Sequence, residues 1–228
     1  MPGTSAISLR RASKLNAKKY REAERLFLAE GEPVILESPV PPIALFGEPG
    51  EVRRLSALKT PTGPVGVFPF LDVSAAELVP AAERIVLLHG LQDPGNVGAI
   101  VRCAHAFGAG VALSGGCADL YNPKTIRATM GSIFHAPVAR EVVSLDLLRD
   151  ARNAGFNAIA AVPGSGDSPR ALPAGRTVIV VGAEGSGLPD EVVEACDVRV
   201  AIPSLAASLN AAIAASILLY EAYMRVLP

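Results

Sequence analysis

Three loops of this chain combine glycine or proline with side chains that could bind or stabilise charge. The first, LQDPGNVG (residues 91–98), leads into a helical stretch that carries Arg102. The second is GAEGSGLP (residues 182–189), and the third runs from Ile202 to Asn210. Each follows a short apolar run, and ligands of open parallel sheets bind outside the carboxyl ends of the strands. A carboxylate, a guanidinium and small hydroxyl and amide groups at that edge would suit a polar ligand.

Individual side chains in these loops make the predicted site more specific. Glu184 would lie at the mouth of a buried strand, where an unpaired carboxylate is costly, and we expect Arg102 to be its cationic partner. Ser208 and Asn210 are two residues apart and would not share a helix face. Two assignments stay open at this helix start. Either Ser208 is the cap with Asn210 in the first turn, or Ser204 is the cap with Ser208 inside the helix.

Other kinds of site fit less well. The glycines could simply make turns, and their spacing in the second loop is not the G-x-G-x-x-G of a dinucleotide-binding oxidoreductase. The chain also lacks a phosphate-loop Gly-Lys-Ser/Thr motif and a G-x-S-x-G nucleophile elbow. His89, His105 and His135 lack the spacing of metal ligands, so we expect metal-free chemistry.

Six short runs rich in Val, Ile and Ala predict the buried strands of a parallel sheet. They cover residues 84–89, 110–113, 137–141, 157–162, 177–181 and 198–202. Helices are predicted between them at 97–107 with Asn96 as the cap, at 123–134 after Asn122, from Ser144 to Gly155, and at 208–226. This alternation predicts a three-layer α/β domain with a mostly parallel sheet, over residues 76–228.

Residues 1–75 follow a different pattern, which predicts a small α+β domain. A basic helix at 13–25 precedes strands at 26–29 and 65–68, and a linker at 72–82 leads to the larger domain. Residues 1–25 hold seven of the 21 Lys and Arg but two of the 22 Asp and Glu, which leaves the rest with a net charge of −6. Such an arm suits a polyanion met at one end, although a solvated helix explains it equally well.

Composition excludes several classes of protein. The 228 residues are 50% apolar, enough to bury a core. No apolar run reaches the roughly 18 residues of a membrane span, and the N-terminus lacks the apolar core of a secretion signal. Three widely spaced cysteines are typical of small core residues in a reducing compartment, which predicts a cytoplasmic protein.

In order and spacing, the three loops resemble the motifs of the SpoU (TrmH-like) RNA methyltransferases of the SPOUT class. The matching stretches are NVGAIVRCA from residue 96, GAEGSGL from residue 182, and IP at 202 with SLN at 208. The resemblance covers residues 84–226. Residues 20–70, through YRE, FLAEG and TPTGPVGV, resemble in shortened form the family's L30e-like substrate-binding domain.

The resemblance implies a trefoil knot at the C-terminal end, bound S-adenosylmethionine and a homodimer with the site near its interface. It also implies methylation of a ribose 2′-hydroxyl in ribosomal or transfer RNA, the alternative being a catalytically inactive RNA-binding paralogue. The three loops contain no cysteine for covalent base methylation and no aromatic residue to stack an extruded base. Ribose is therefore the expected target.

Site residues follow from the motifs. The family's catalytic positions fall on Asn96, Arg102, Glu184, Ser208 and Asn210. Its cofactor-binding positions fall on Ala160, Ala161, Val162, Gly182, Ala183, Glu184, Gly187, Ile202, Ser208, Leu209 and Asn210. The side chains predicted to bind RNA are Arg10, Arg11, Lys14, Lys18, Lys19, Arg21 and Thr129, the last of which replaces a serine of the family.

The family assigns its first-motif arginine as the general base, and the chemistry of guanidinium opposes this. A guanidinium has a pKa above about 12 and stays protonated in proteins. We therefore expect Arg102 to stabilise the developing alkoxide, with a substrate phosphate or water taking the proton. Glu184 is expected to hold Arg102 or its own loop. Asn96 and Ser208 would orient Arg102 or the ribose, and Asn210 the methionine end of the cofactor or the loop backbone.

Overall fold

A computed structural model describes residues 7–225, in which ten α-helices and nine strands are found. The N-terminal region contains α1 (Leu9–Lys14), α2 (Lys18–Glu24), β1 (Leu26–Glu30), α3 (Glu32–Leu36), β2 (Ala44–Phe46), α4 (Pro49–Leu55) and β3 (Val65–Pro69). The C-terminal region contains α5 (Ala75–Ala81), β4 (Arg84–His89), α6 (Pro94–Ala106), β5 (Gly110–Ser114), α7 (Pro123–Thr129), β6 (Val138–Val142), α8 (Ser144–Asn153), β7 (Asn157–Ala161), β8 (Thr177–Gly182), α9 (Asp190–Glu194), β9 (Val198–Val200) and α10 (Ala211–Met224).

The C-terminal region is a six-stranded sheet of order β6-β5-β4-β8-β7-β9, in which every neighbouring pair is parallel. Successive residues of a strand face opposite sides. Accordingly, Ile85 and Leu87 pack with residues of α5, α8 and α9 on one face, whereas Val86 and Leu88 pack with α6, α7 and α10 on the other. The predicted α/β fold with a mostly parallel sheet is confirmed.

The N-terminal region has an antiparallel sheet of order β1-β3-β2. One side of it has its own apolar core with α1 and α4. From the other side, Phe27 and Phe68 reach the larger core, with ring centroids 4.9 Å from Tyr121 and 4.8 Å from Phe134, respectively. The two regions thus share part of one core.

Two predictions for the N-terminal third of the chain were wrong. The basic helix at 13–25 is two helices, because the chain turns after Lys14 and buries Leu15, whose carbonyl accepts a hydrogen bond from the Arg21 side chain. The supposed linker contains α5, which begins with a capping box between Ser74 and Glu77.

Three predicted helix boundaries also moved. α6 begins at Pro94, because the Asp93 side chain, and not Asn96, caps it. The helix predicted at 123–134 stops at Thr129, since Met130 and Gly131 both have positive φ, and a short 3₁₀ turn follows at Ser132–Phe134. The last helix begins three residues later than predicted, and residue 226 lies outside the described residues.

β9 is hydrogen-bonded on both of its edges. On one edge Val162 N–H donates to the carbonyl of Val200. On the other, Asp167 N–H donates to the Arg199 carbonyl, and its own carbonyl accepts from Ala201 N–H. The short connection at 162–167 therefore passes across the carboxyl end of β9, close to the chain that leaves this strand.

Candidate active site

The three loops meet at the carboxyl edge of the sheet, because β4 and β8 are neighbours there. Asn96 is in the first turn of α6, after β4. Glu184 lies two residues after β8 ends. Asn210 caps α10, which follows β9. We call Asn96, Glu184 and Asn210 the site triangle.

The site triangle is closed by side-chain hydrogen bonds. Glu184 Oε1 accepts from Asn96 Nδ2 and, at 3.1 Å, from Asn210 Nδ2. Asn210 Nδ2 also donates to Asn96 Oδ1 at 3.0 Å. An amide nitrogen has two protons, so Asn210 uses both of them within the triangle. One carboxylate and two amides thus fasten three loops that are far apart in the sequence.

Asn210 also settles the two open assignments of the helix cap, and both were wrong. Its Oδ1 accepts from the N–H groups of Ala212 at 3.0 Å and Ile213 at 3.3 Å. Ser208 lies before the helix, and Ser204 Oγ accepts from Ala206 N–H instead. A single side chain therefore begins α10 with its oxygen and joins the triangle with its nitrogen.

The predicted ion pair between Arg102 and Glu184 is not formed. Glu184 is exposed and takes two amide donors, so burial does not demand a cation beside it. Arg102 and Ser208 are exposed, and within residues 7–225 neither has a hydrogen-bond or ion-pair partner. A guanidinium and a hydroxyl are left available for a ligand.

The predicted cofactor residues lie on three neighbouring segments. Ala160 and Ala161 end β7, Gly182 ends β8, and the remaining positions belong to the loops that follow. At Gly182 a Cβ atom would lie 2.3 Å from the Gly187 carbonyl carbon, so a tight loop requires glycine there. Gly187 N–H donates to the Ala183 carbonyl at 2.9 Å and closes this loop.

The segment at 202–209 exposes its backbone. Of its N–H groups, that of Ala206 alone has a partner within the described residues, the side chain of Ser204. Ile202 and Leu209 are half-buried, while the other residues of this segment are exposed. A run of unpaired donors and acceptors thus lies beside the ends of β7 and β8.

Five of the seven predicted RNA-binding residues are exposed: Arg10, Arg11, Lys14, Lys18 and Lys19. Arg21 must be withdrawn from the set, because it is 2% exposed and its guanidinium is bound to Asp119 and to two carbonyls. Thr129 must be withdrawn as well. It is fully buried, and its hydroxyl donates to the Ile126 carbonyl at 2.7 Å.

Sequence reasoning missed a second polar contact beside the triangle. Asp93 Oδ1 accepts from Asn96 N–H at 2.9 Å, and its Oδ2 accepts from Lys124 Nζ at 2.9 Å. The pKa of Asp93 lies below its usual value, because the Lys124 ammonium and the Asn96 N–H both bind its charged form. Asp93 directly before Pro94 was the available signal, since aspartate favours a cap and proline the first helical position.

Two kinds of feature are not found in the described part of the chain. Among residues 7–225, His, Cys, Asp and Glu nowhere gather in groups of three or more that could hold a metal ion. No helix within the same residues has the length and apolar character needed to cross a membrane.

Comparisons with known proteins identify the family of this chain. The SpoU rRNA Methylase family matches residues 83–220. The 23S rRNA (guanosine(2553)-2′-O)-methyltransferase RlmP of Bacillus subtilis is 30% identical over 231 residues, which cover 91% of this chain and 92% of that protein.

Two solved structures extend the likeness to the whole fold. One is an AdoMet-bound rRNA methyltransferase from Sinorhizobium meliloti, with a TM-score of 0.86, 28% identity, and coverage of 96% of this chain and 95% of that one. The other is AviRb from Streptomyces viridochromogenes in complex with AdoMet, with a TM-score of 0.82, 27% identity, and coverage of 95% and 96%. This chain belongs to the SpoU rRNA methylase family.

Proposed function

We propose that this protein transfers a methyl group from S-adenosylmethionine to a ribose 2′-hydroxyl of ribosomal or transfer RNA. The observation that carries the proposal is the site triangle, which joins the three motif loops and leaves Arg102 and Ser208 without partners in residues 7–225. Relatives that methylate 2′-hydroxyls of 23S rRNA, and similar structures with AdoMet bound, support it.

The residues present fit this cofactor. Its adenine and methionine ends are polar and need hydrogen-bond donors and acceptors, and the free backbone groups at 202–209 offer both. At Gly187 nothing lies within 4 Å of where a Cβ atom would be, so the backbone there allows close approach of a ligand. The cofactor is proposed to lie among the end of β7, the loop at 182–187 and the segment at 202–210. When bound, it supplies an electrophilic methyl group on a sulfonium.

Arg102 is proposed to face the nucleophile. Its guanidinium remains protonated and stabilises the oxygen of the ribose as it loses its proton. The proton passes to water or to a phosphate oxygen of the substrate. Ser208, whose hydroxyl is free, is proposed to orient the ribose or Arg102. Positioning accounts for most of the remaining rate, since proximity can contribute roughly 7–11 kcal/mol.

The site triangle is proposed to act by positioning. Glu184 is held by two amides, so its first role is to keep the loop after β8 against α6 and α10. Glu184 Oε2 has no partner within residues 7–225 and is free to orient Arg102 once substrate is bound. Asn96 lies in the first turn of α6, the helix that carries Arg102, and Asn210 caps α10, the helix that follows Ser208. Their amides tie both helix starts to Glu184.

A trefoil knot is proposed at the C-terminal end of the sheet. The connection at 162–167 crosses the end of β9, and the chain leaving β9 must pass it to reach α10, which packs against α6 and β8. At Gly166 a Cβ atom would lie 2.9 Å from Ala201 N and from Arg199 O, which shows how closely the two segments approach. These contacts support threading of the chain beneath the connection.

A homodimer is proposed through α10. Ile213, Tyr220 and Met224 lie on one face of this helix and are 53%, 47% and 45% exposed. Because α10 packs on α6, a second copy on this face would lie near Arg102. Residues 1–75 are proposed as the shortened L30e-like RNA-binding domain, and the cytoplasm as the location, where both kinds of RNA occur.

The test is the identity of the methylated atom. Unmodified 23S rRNA and tRNA transcripts are incubated with the protein and methyl-labelled S-adenosylmethionine, then hydrolysed in alkali. A methylated ribose lacks the 2′-hydroxyl that cleavage requires, so the label is expected in alkali-resistant dinucleotides. Label in mononucleotides would mean base methylation and overturn the proposal. Binding of RNA and cofactor without any transfer would support an inactive paralogue instead.

A further inference from the structure

Lys124 lies beside the site, where its ammonium uses one of its three protons in a hydrogen bond to Asp93. Its Nζ donates to Asp93 Oδ2, and Asp93 Oδ1 simultaneously accepts from Asn96 N–H. An ammonium has three protons, so two remain for another acceptor. At Gly95 a Cβ atom would lie 2.8 Å from Asp93 Oδ1 and 3.6 Å from Lys124 Cε, so a side chain there would push against the Asp93 carboxylate.

Arg127 lies on the same face of α7 as Lys124, because residues three apart in a helix are neighbours. Its Nη1 donates to the Pro123 carbonyl at 3.3 Å, and its other N–H groups have no partner within residues 7–225. Arg127 lines a shallow, open groove between α7 and the N-terminal region, whose other walls include Asn16, Glu30 and Leu55.

Further cations lie in and just after α4, whose Leu55 lines the groove. Arg53 and Arg54 are in the last turn of α4, next to Leu55, and Lys59 follows the helix. All three are exposed, and none of them forms an ion pair in the part of the chain that the structure describes. The groove also contains the carboxylate of Glu30, which accepts hydrogen bonds from Thr62 N–H at 2.9 Å and from the Ser56 hydroxyl at 2.7 Å.

We propose that Lys124 and Arg127 form a phosphate-binding edge, which holds the RNA strand next to the target ribose and leads it into the groove towards α4. The inference rests on the proposed function, in which RNA is the substrate. Phosphate contacts of this kind set the register of a nucleic acid without reading its bases. Asp93 connects the edge to catalysis, since one carboxylate fixes both the Lys124 ammonium and the helix start that carries Asn96.

The test compares Lys124→Gln, Arg127→Gln and the double variant with Arg149→Gln. Arg149 is an exposed arginine of α8, on the opposite face of the sheet, so its replacement changes the net charge equally. Binding of a fluorescein-labelled oligouridylate is titrated over a range of salt concentrations. The slope of log K against log salt is expected to fall by about 0.7 for each lost phosphate contact. Lys124→Arg should keep the wild-type slope, and Arg149→Gln should leave it unchanged.

Kinetics separate this role from a structural one. The KM for an unmodified 23S rRNA transcript should rise roughly five- to tenfold in each single variant, with little change in kcat or in S-adenosylmethionine affinity. An unchanged salt slope, or an equal change in Arg149→Gln, would overturn the phosphate-binding edge. That failure is distinct from failure of the proposed function, in which the wild-type protein itself would yield no 2′-O-methylated product.

Discussion

The junction between the N-terminal region and the six-stranded sheet differs sharply from the site in how it treats charge. At the junction Arg21 pairs with Asp119, and their side chains are 3% and 9% exposed. Arg140 lies between Glu22 and Asp72 at 2.9 and 3.4 Å. At the site Arg102 is exposed and has no partner among residues 7–225.

Solvent explains the difference. At the junction Arg21 and Asp119 are almost withdrawn from water, so each of these charges needs an opposite charge and hydrogen bonds, and the pair contributes to holding the regions together. Arg102 at the site is instead exposed, so water solvates its charge and no protein partner is needed. Its guanidinium is thereby available to a ligand. The same residue type is therefore paired and buried in one region, and exposed and without a partner among residues 7–225 in the other.

The largest effect is expected from a substitution that breaks the buried ion pair at the junction. Arg21→Met leaves Asp119 buried without a cation, which should lower the free energy of unfolding by about 3–5 kcal/mol. Urea unfolding measures this loss. The double variant Arg21→Met/Asp119→Leu removes both charges and should regain much of the stability. A loss well under 1 kcal/mol in the single variant would show that the pair is solvated.

The next effect tests the site. Arg102→Ala should lower kcat about 10²- to 10³-fold, equivalent to about 2.7–4 kcal/mol, because the developing alkoxide loses its stabilising cation. Unfolding free energy should change by less than about 0.5 kcal/mol, as for other exposed positions. Calorimetry should find nearly unchanged affinity for S-adenosylmethionine. A loss of cofactor binding equal to the loss of rate would show that Arg102 binds the cofactor instead.

The contrast between Arg21 and Arg102 also marks the limit of the sequence analysis. Both arginines lie in helices. The sequence predicted RNA binding for Arg21 and an ion pair with Glu184 for Arg102. Burial of Arg21 depends on Asp119, 98 residues away, so no local pattern could reveal it. The exposure of Glu184 likewise depends on how three loops converge.

What could be predicted followed from local signals. Apolar runs placed all six strands of the main sheet to within two residues, because parallel strands are buried on both faces. The motif loops led to Asn96, Glu184 and Asn210, which the fold brings together. Their hydrogen bonds were not foreseen, since Asn210 was assigned to the inside of a helix that it in fact caps.

A third experiment tests whether close packing of α6 against α7 holds the site in place, since the site lacks buried ion pairs in the part of the chain that the structure describes. α6 and α7 approach closely at Gly98, where a Cβ atom would lie 2.5 Å from both Ala128 Cβ and Thr125 O. Gly98→Ala should cost about 1–3 kcal/mol of unfolding free energy through overpacking. It should also raise the KM for RNA by shifting Lys124.

Gly50→Ala is the matched control for Gly98→Ala. Gly50 is also a helical glycine, in α4, and its Cβ atom would meet nothing within 4 Å. This change should be neutral or stabilising by about 0.5–1 kcal/mol, because alanine restricts the unfolded chain. Equal destabilisation by both substitutions would contradict a specific role for the contact between α6 and α7.

The smallest effect is expected in the pH dependence of stability, which we compare for Asp72 at the junction and Asp93 at the site. Burial of Asp72 favours its neutral form, but a hydrogen bond from Tyr121 and the charges of Arg140 and Arg25 outweigh this, so its pKa lies below the ordinary value of 3.8. A carboxyl whose pKa is depressed by folding stabilises the protein above its unfolded pKa, and this stabilisation is lost as pH falls through the folded value. Asp72→Asn should therefore flatten the fall in stability below pH 3.8.

Asp93 is the control at the site. Its side chain is 39% exposed and is bound to an exposed lysine, and an asparagine in its place would still cap the helix. At about 1 M salt, where screening acts within roughly 3 Å, Asp93→Asn should match the wild-type acid limb while Asp72→Asn still differs from it. Identical curves for both variants at high salt would mean that the junction is as well solvated as the site.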